Sequence, residues 1–323
     1  MKKILALMLS LALIFSLCAC DNKDNKKGAL SKDATSTTGE GDGVISDNTH
    51  LIASTDVLNS YTFSSTPGET NEFFPVGESF MLGDKQYTLS FFDDFNGTDL
   101  DPLKWARCKE STRQDYKGKW DNDMSWVDGK GFLHIGVAQD EDGTLISGAV
   151  RTRTLDNQNL FAQKRGYFEI NCKPQKATGC WSAFWIMSDI EDVKKVGNGA
   201  IDGAEIDVFE SFDPKNGVVN HAVHCDGYGD NHKATGVTTQ NPNLYDGNFH
   251  TFALLWDENG YYFYIDGVMT KKFDNTQDDF LGSCEIETYM KITAEFGSWG
   301  GYVNLSLMPD ALVVDYVRVY SVS

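Results

Sequence analysis

The sequence predicts an all-β protein, a two-sheet antiparallel sandwich, on three observations. Beyond Tyr87 nearly every apolar segment alternates with period two or is a short strand-length run. Turn residues punctuate those segments, and past the N-terminal apolar run none of them sustains a helical period for three turns. Many strands with no helices to cover them must bury their apolar faces against one another, and two stacked sheets do so.

The chain opens with Met1-Lys2-Lys3 and an apolar run over residues 4–19, the form of a secretory signal. The run is too short and wrongly flanked for a spanning helix that stays in the product. Its end, Leu17-Cys18-Ala19-Cys20, resembles the lipobox of bacterial lipoproteins, which implies that residues 1–19 are removed and Cys20 becomes the lipidated first residue. A lipid there would hold the protein on the outer face of a membrane without spanning it. Residues 20–50 are rich in Asp, Asn, Lys, Ser, Thr and Gly and read as a flexible tether, because such a composition buries too little surface to offset chain entropy. Residues 51–86 carry Tyr61, Phe63, Phe73, Phe74 and Phe80 without a period, and read as a partly ordered extension of the domain.

Residues 87–323 are one domain's worth of chain, long enough for a large core. Within it, residues 166–172, 182–187, 205–210, 221–225, 249–256, 261–265, 290–296 and 312–320 read as strands. Glu258-Asn259-Gly260 and Asp266-Gly267 are hairpin signals between or after them. Cys108, Cys172, Cys180, Cys225 and Cys284 show no metal-ligand spacing and read as mostly free or buried thiols, with a disulfide or two as the alternative. The net charge of −19 argues against nucleic acid as a partner and leaves a neutral polymer unaffected. The expected molecule is a monomer.

Chemistry concentrates in residues 203–210, where Glu205, Asp207 and Glu210 interleave with Ile206, Val208 and Phe209. In a strand Glu205 and Asp207 share one face, but Glu210 is out of phase and strict alternation would send it into the core. One bulged residue restores the phase and lines all three acids on one face. With the bulge, Glu205 and Glu210 are about four strand steps apart, roughly 13 Å between Cα atoms. On a concave sheet their carboxyl groups would approach to roughly 5 to 6 Å, near the separation of a retaining glycosidase pair. Asp207 between them couples the titrations and helps one carboxyl stay protonated near neutral pH. Spacing alone fits a solvated acidic strand face equally well.

Several stretches together resemble glycoside hydrolase family 16, in the family's order. They are Phe92-Asp93-Asp94-Phe95-Asn96-Gly97 with Leu100-Asp101 and Lys104-Trp105, Gly148-Ala149-Val150-Arg151-Thr152, Arg165-Gly166-Tyr167-Phe168-Glu169, and Gly179-Cys180-Trp181-Ser182-Ala183-Phe184-Trp185. The acidic strand and Val314-Asp315-Tyr316-Val317-Arg318-Val319-Tyr320 complete the set. The resemblance implies a concanavalin-like β-jelly roll whose concave sheet forms a polysaccharide cleft, and hydrolysis with retention. It assigns Glu205 as nucleophile, Glu210 as general acid and base, and Asp207 as the acid that orients the nucleophile. The longer ExDxxE strand looks like the laminarinase, agarase and carrageenase side of the family. β-1,3-Glucan is the first expected substrate, with β-1,3-1,4-glucan or an agar-type galactan as alternatives. A non-catalytic surface glycan-binding protein and a transglycosylase are competing readings.

Around the acids, Trp181, Trp185 and Trp299 are candidates to stack on sugar rings. Trp185 fits core packing equally, and Trp299 sits in the glycine-rich stretch Gly297-Ser298-Trp299-Gly300-Gly301. His224 lies where the resemblance places a histidine near the acid/base, with His221 as its competitor. Arg151 is a candidate substrate contact, or the partner of a surface acid. No cofactor is expected for catalysis. The resemblance implies a structural calcium ion held in part by an aspartate like Asp315, away from the chemistry. Two departures stand out: Ser182 occupies a position where the family often has proline, and residues 201–204 lack the tryptophan and cysteine that many laminarinases carry there.

Overall fold

Strands built from the predicted apolar alternation stack as two antiparallel sheets in a computed structural model that describes residues 77–108 and 118–322. The signal, Cys20, the tether and residues 51–76 of the extension lie outside the described residues. The sheet that carries the acidic strand has the spatial order Lys233–Gln240, Val218–Cys225, Glu205–Asp213, Cys180–Met187, Tyr289–Phe296, Ala149–Arg151 and Ala106–Arg107. The facing sheet runs through Val268–Phe273, Gly260–Ile265, His250–Asp257, Gly166–Lys173, Asp310–Val322 and Leu133–Gln139 to Leu145–Ser147 and Gly118–Trp120. Among the described residues helix is confined to one short α-helix, Ile190–Val193, and a few 3₁₀ turns.

Alternation explains the core. On the Cys180–Met187 strand Phe184 and Ile186 point between the sheets, and on the acidic strand Ile206, Val208 and Phe209 do. They meet Phe168 and Ile170, Phe252, Leu254 and Trp256, and Val317 and Val319 of the facing sheet. Phe209 stacks on Phe252 at 4.2 Å between ring centroids, which ties the acidic strand directly to the opposite layer. The hairpin signals are realised: Asp257 pairs with Gly260, and Asp266 and Gly267, both at positive φ, turn the chain between Ile265 and Val268.

The domain boundary expected at Tyr87 falls inside a strand. Lys85–Asp93 pairs with Asp310–Val322, and Ser79–Leu82 pairs with Lys85–Asp93, so residues 79–86 belong to the sheet. Phe80 and Tyr87 stack at 5.0 Å and pack with Tyr167 and Tyr320 in a second apolar cluster. Asp93 accepts from Trp105 Nε1 at 2.9 Å and from the Phe95 backbone at 3.0 Å, which is why an Asp-Asp-Phe run and a distant Lys-Trp pair occur together in the sequence. All five cysteines of the described residues are buried and unpaired with one another.

Candidate active site

The bulge foreseen in the acidic strand is present. Across to Val218–Cys225, Asp207 faces Ala222 and Glu210 faces Asn220, so three steps on one strand match two on the other. Across to Cys180–Met187, Phe209 faces Phe184 and Asp207 faces Trp185, so Val208 is the unpaired residue there. Val208 and Phe209 both enter the core, and Glu205, Asp207 and Glu210 all line one cleft.

Each acid has a different partner. Tyr228 donates its phenol OH to Glu205 Oε2. His224 Nε2 lies 3.2 Å from Asp207 Oδ2, and Asn220 Nδ2 donates to Glu210 Oε2 at 3.0 Å. Burial, followed by the charge of Asp207, raises the proton affinity of Glu205, while His224, the Tyr228 hydroxyl and Lys291 pull it back down. Burial and Asp207 push Glu210 well above the usual carboxylate range, opposed by the Asn220 amide and His224. Burial would lower His224, but the hydrogen bond and charge of Asp207, with Glu205 and Glu210, outweigh it and raise it to about 9. His224 is therefore an imidazolium at neutral pH, donating through both ring nitrogens: Nε2 to Asp207, and Nδ1 to His232 Nε2 at 2.9 Å. The environments set Glu210 apart as the acid that keeps its proton and Glu205 as the more readily ionised of the two.

The other sequence candidates separate clearly. Trp181, Trp185 and Trp299 all line the cleft. Trp185 is nevertheless buried, its Nε1 donating to Thr293 Oγ1 at 3.1 Å and its ring 3.6 Å from the Lys291 ammonium, so it is both floor and core. Trp299 meets Trp181 edge-on at 5.3 Å and Phe212 at 4.2 Å, forming an aromatic wall. His221 points the other way, into the core, with Nδ1 2.6 Å from the Val208 carbonyl and Nε2 3.0 Å from Thr270 Oγ1. Arg151 is not among the cleft-lining residues; its strand is the third from the acidic strand, and Nη2 donates to the Thr154 carbonyl at 2.5 Å. Asn220 and Tyr228 belong to residues 220–229, which with Asp226-Gly227-Tyr228-Gly229 read from the sequence as a loop at the cleft rim, and both line the cleft; His232 and Phe212 line it without having been singled out from the sequence.

Glu205, Asp207 and His224 bring potential metal-ligand atoms within 4.8 Å of one another. In this structure the three are engaged in hydrogen bonds, His224 bridging Asp207 and His232 and Tyr228 donating to Glu205. Asp315 lies on the facing sheet, at a register shift of the last strand. Its carboxyl is raised by burial and by Asp94, against the pull of Arg318. Two nearby carboxylates are hard oxygen ligands of the kind calcium takes.

Residues 115–317 match the sequence model of Glycosyl hydrolases family 16, well over half of the chain. The chain belongs to that family. The curated relatives of this family 16 chain include Glucan endo-1,3-beta-glucosidase A1 of Niallia circulans, 24% identical over 81% of this chain and 42% of the relative. A Keratan-sulfate endo-1,4-beta-galactosidase of Sphingobacterium multivorum is 22% identical over 90% of this chain and 63% of the relative. The chain thus spans less than two thirds of the length of these two relatives. Among solved structures, the endo-beta-1,3-glucanase from Pyrococcus furiosus superposes with a TM-score of 0.62, over 77% of this chain and 99% of that one, at 21% identity. That likeness places this family 16 chain in the same two-sheet fold.

Proposed function

We propose that the chain is a retaining endo-hydrolase of a neutral β-linked polysaccharide, with β-1,3-glucan as the first substrate and mixed β-1,3-1,4-glucan as the second. The observation that carries the reading is the acid pair on one bulged strand, in which Glu210 is held protonated while Glu205 is surrounded by donors and cations. In the first step a Glu205 oxygen attacks the anomeric carbon as Glu210 gives its proton to the departing glycosidic oxygen. In the second, Glu210, now a carboxylate, takes a proton from water, the water oxygen bonds to the anomeric carbon, and the Glu205 carboxylate leaves. Asp207, paired with His224, supplies fixed charge beside both.

The lining also speaks to the polymer. It contains Glu205, Asp207, Glu210 and Glu295 against one cation, His224, and, among the described residues, no lysine or arginine. A sulfated or carboxylated chain would meet like charge there, so the cleft favours a neutral glucan over an anionic galactan. Laminarin, lichenan, agarose and galactan, each assayed for new reducing ends with product sizing, test this reading. Laminarin is expected to fall to oligosaccharides, and absence of new ends from all four polymers would sink it.

Two outlying features belong to the same reading. Leu17-Cys18-Ala19-Cys20 supports a surface lipoprotein, and Cys20→Ser should abolish labelling by radioactive palmitate and release the protein to the medium. Asp94 and Asp315 are proposed to hold a structural calcium; chelation should then lower the melting temperature and added calcium restore it, and an unchanged melting curve would exclude it.

A further inference from the structure

The turn over residues 226–232 joins Val218–Cys225 to Lys233–Gln240 and reaches back over the acids. Its backbone is anchored. Asp226 and Gly227 take left-handed conformations at φ 59° and 80°, the Gly227 amide donates to the Val193 carbonyl at 2.7 Å, and the buried Asp226 carboxylate pairs with Lys233 at 2.9 Å. Two side chains then face the acid cluster from this fixed backbone. The Tyr228 hydroxyl donates to Glu205 Oε2, and His232 accepts from His224, whose other nitrogen is on Asp207.

We propose that this turn is a positioning clamp, in which Tyr228 holds the nucleophile by one carboxylate oxygen and His232, through His224, fixes Asp207 beside it. The inference rests on the reading of Glu205 as nucleophile. With Oε2 engaged, Oε1 is the oxygen left to form the bond to the anomeric carbon. When that bond breaks in the second step, its electron pair returns to a carboxylate that already has a donor in place. Tyr228 keeps its proton throughout, since burial and Glu205 hold the phenol well above its ordinary range. Neither residue touches the reacting carbon, so both act through others.

Glu205 is faced by Asp207 and Glu210 on its own strand, His224 on the next strand, Lys291 two strands away on the other side, and Tyr228 from the turn. Removing the phenol hydroxyl removes a donor to the ionised form alone, so Glu205 must then lose its proton at higher pH. Tyr228→Phe in the full chain, assayed on whichever polymer the wild type cleaves, should lower kcat about tenfold or more and leave KM within about twofold. The acidic limb of the pH profile should move up and the basic limb stay in place. His232→Ala should lower kcat, and His232→Gln, whose longer side chain can place an amide oxygen near the position of Nε2 as acceptor for His224, should recover most of it. Wild-type kcat and acidic limb in Tyr228→Phe, or a loss confined to KM, overturns the clamp. If the wild type cleaves a glucan and Glu205→Gln does not, while Tyr228→Phe matches the wild type, only the clamp fails. If the wild type cleaves nothing, the functional reading fails first and takes the clamp with it.

Discussion

Val208 and Phe209 are neighbours in the chain and both are fully buried on the core side of the same strand. Two consecutive inward residues are what a bulge produces, and they turn Glu210 onto the face of Glu205 and Asp207. The phase of the acids is thus held by core packing. Phe209→Ala removes the ring that stacks on Phe252 and should cost about 3–5 kcal/mol. In a domain of this size that corresponds to a melting temperature lower by roughly 6–20 °C. Calorimetry checks it, and a change below about 2 °C would mean that the bulge is held by something other than this ring.

Glu210 and Glu205 should separate by leaving group. Protonation by Glu210 matters only where the departing oxygen is a poor leaving group. Glu210→Gln should therefore lose polysaccharide hydrolysis by about a hundredfold or more while retaining much of its rate of glycosyl-enzyme formation from an activated aryl glycoside. Glu205→Gln should lose both. Pre-steady-state release of the aryl group distinguishes the variants, and equal losses on both substrates in Glu210→Gln would remove it from the role of acid.

Two histidines of one strand should titrate on opposite sides of the ordinary histidine range. His224 is raised to about 9 by the acids, and His221 is lowered to about 4 by burial. Stability contributed by a charged His224 is complete below about 6.5 and is lost as pH rises through about 9. Stability contributed by a neutral His221 is complete above about 6.5 and is lost as pH falls through about 4. Each window spans a stabilisation on the order of 3 kcal/mol, so the two histidine contributions are both present only between the windows, near pH 6–7. Ring-resonance titration by NMR reads both groups, and two histidines titrating together near 6.5 would refute the assignment.

These residues show what a sequence exposes and what it hides. Period-two alternation locates the strands at residues 166–172, 182–187 and 290–296 because their apolar faces are buried against the opposite sheet, and it misses Lys233–Gln240, an edge strand whose side chains are half-buried or exposed. The phase error of Glu210 is legible because alternation is strict, so the exception carries information. Tyr228 and His232 leave no such trace, because a turn has no period and their direction depends on the positive φ at Asp226 and Gly227. The glycine next to Asp226 hints at that conformation without saying which side chains it aims. Arg151 misleads for a related reason: its strand lies in the cleft sheet, but its guanidinium turns to the Thr154 carbonyl. Ser182 is fully buried with its hydroxyl unpartnered, and nothing in the structure explains the choice of serine there.

Trp299 should act on binding rather than on chemistry. It is half-buried on a glycine-flanked turn, with Phe212 against it and Trp181 meeting it edge-on, and it lines the cleft beyond Glu210 without contacting an acid in any hydrogen bond. An aromatic wall in that place gains by covering the apolar face of a bound sugar ring, an interaction made equally before and in the transition state. Loss of such a contact raises KM and leaves kcat nearly unchanged. Trp299→Ala should therefore raise KM for the polymer by roughly 5–30-fold, the equivalent of about 1–2 kcal/mol. Trp181→Ala serves as the contrast, because Trp181 is buried and its loss should also lower the melting temperature. A Trp299→Ala variant with unchanged KM, or with kcat reduced as much as kcat/KM, would move the aromatic wall out of substrate binding.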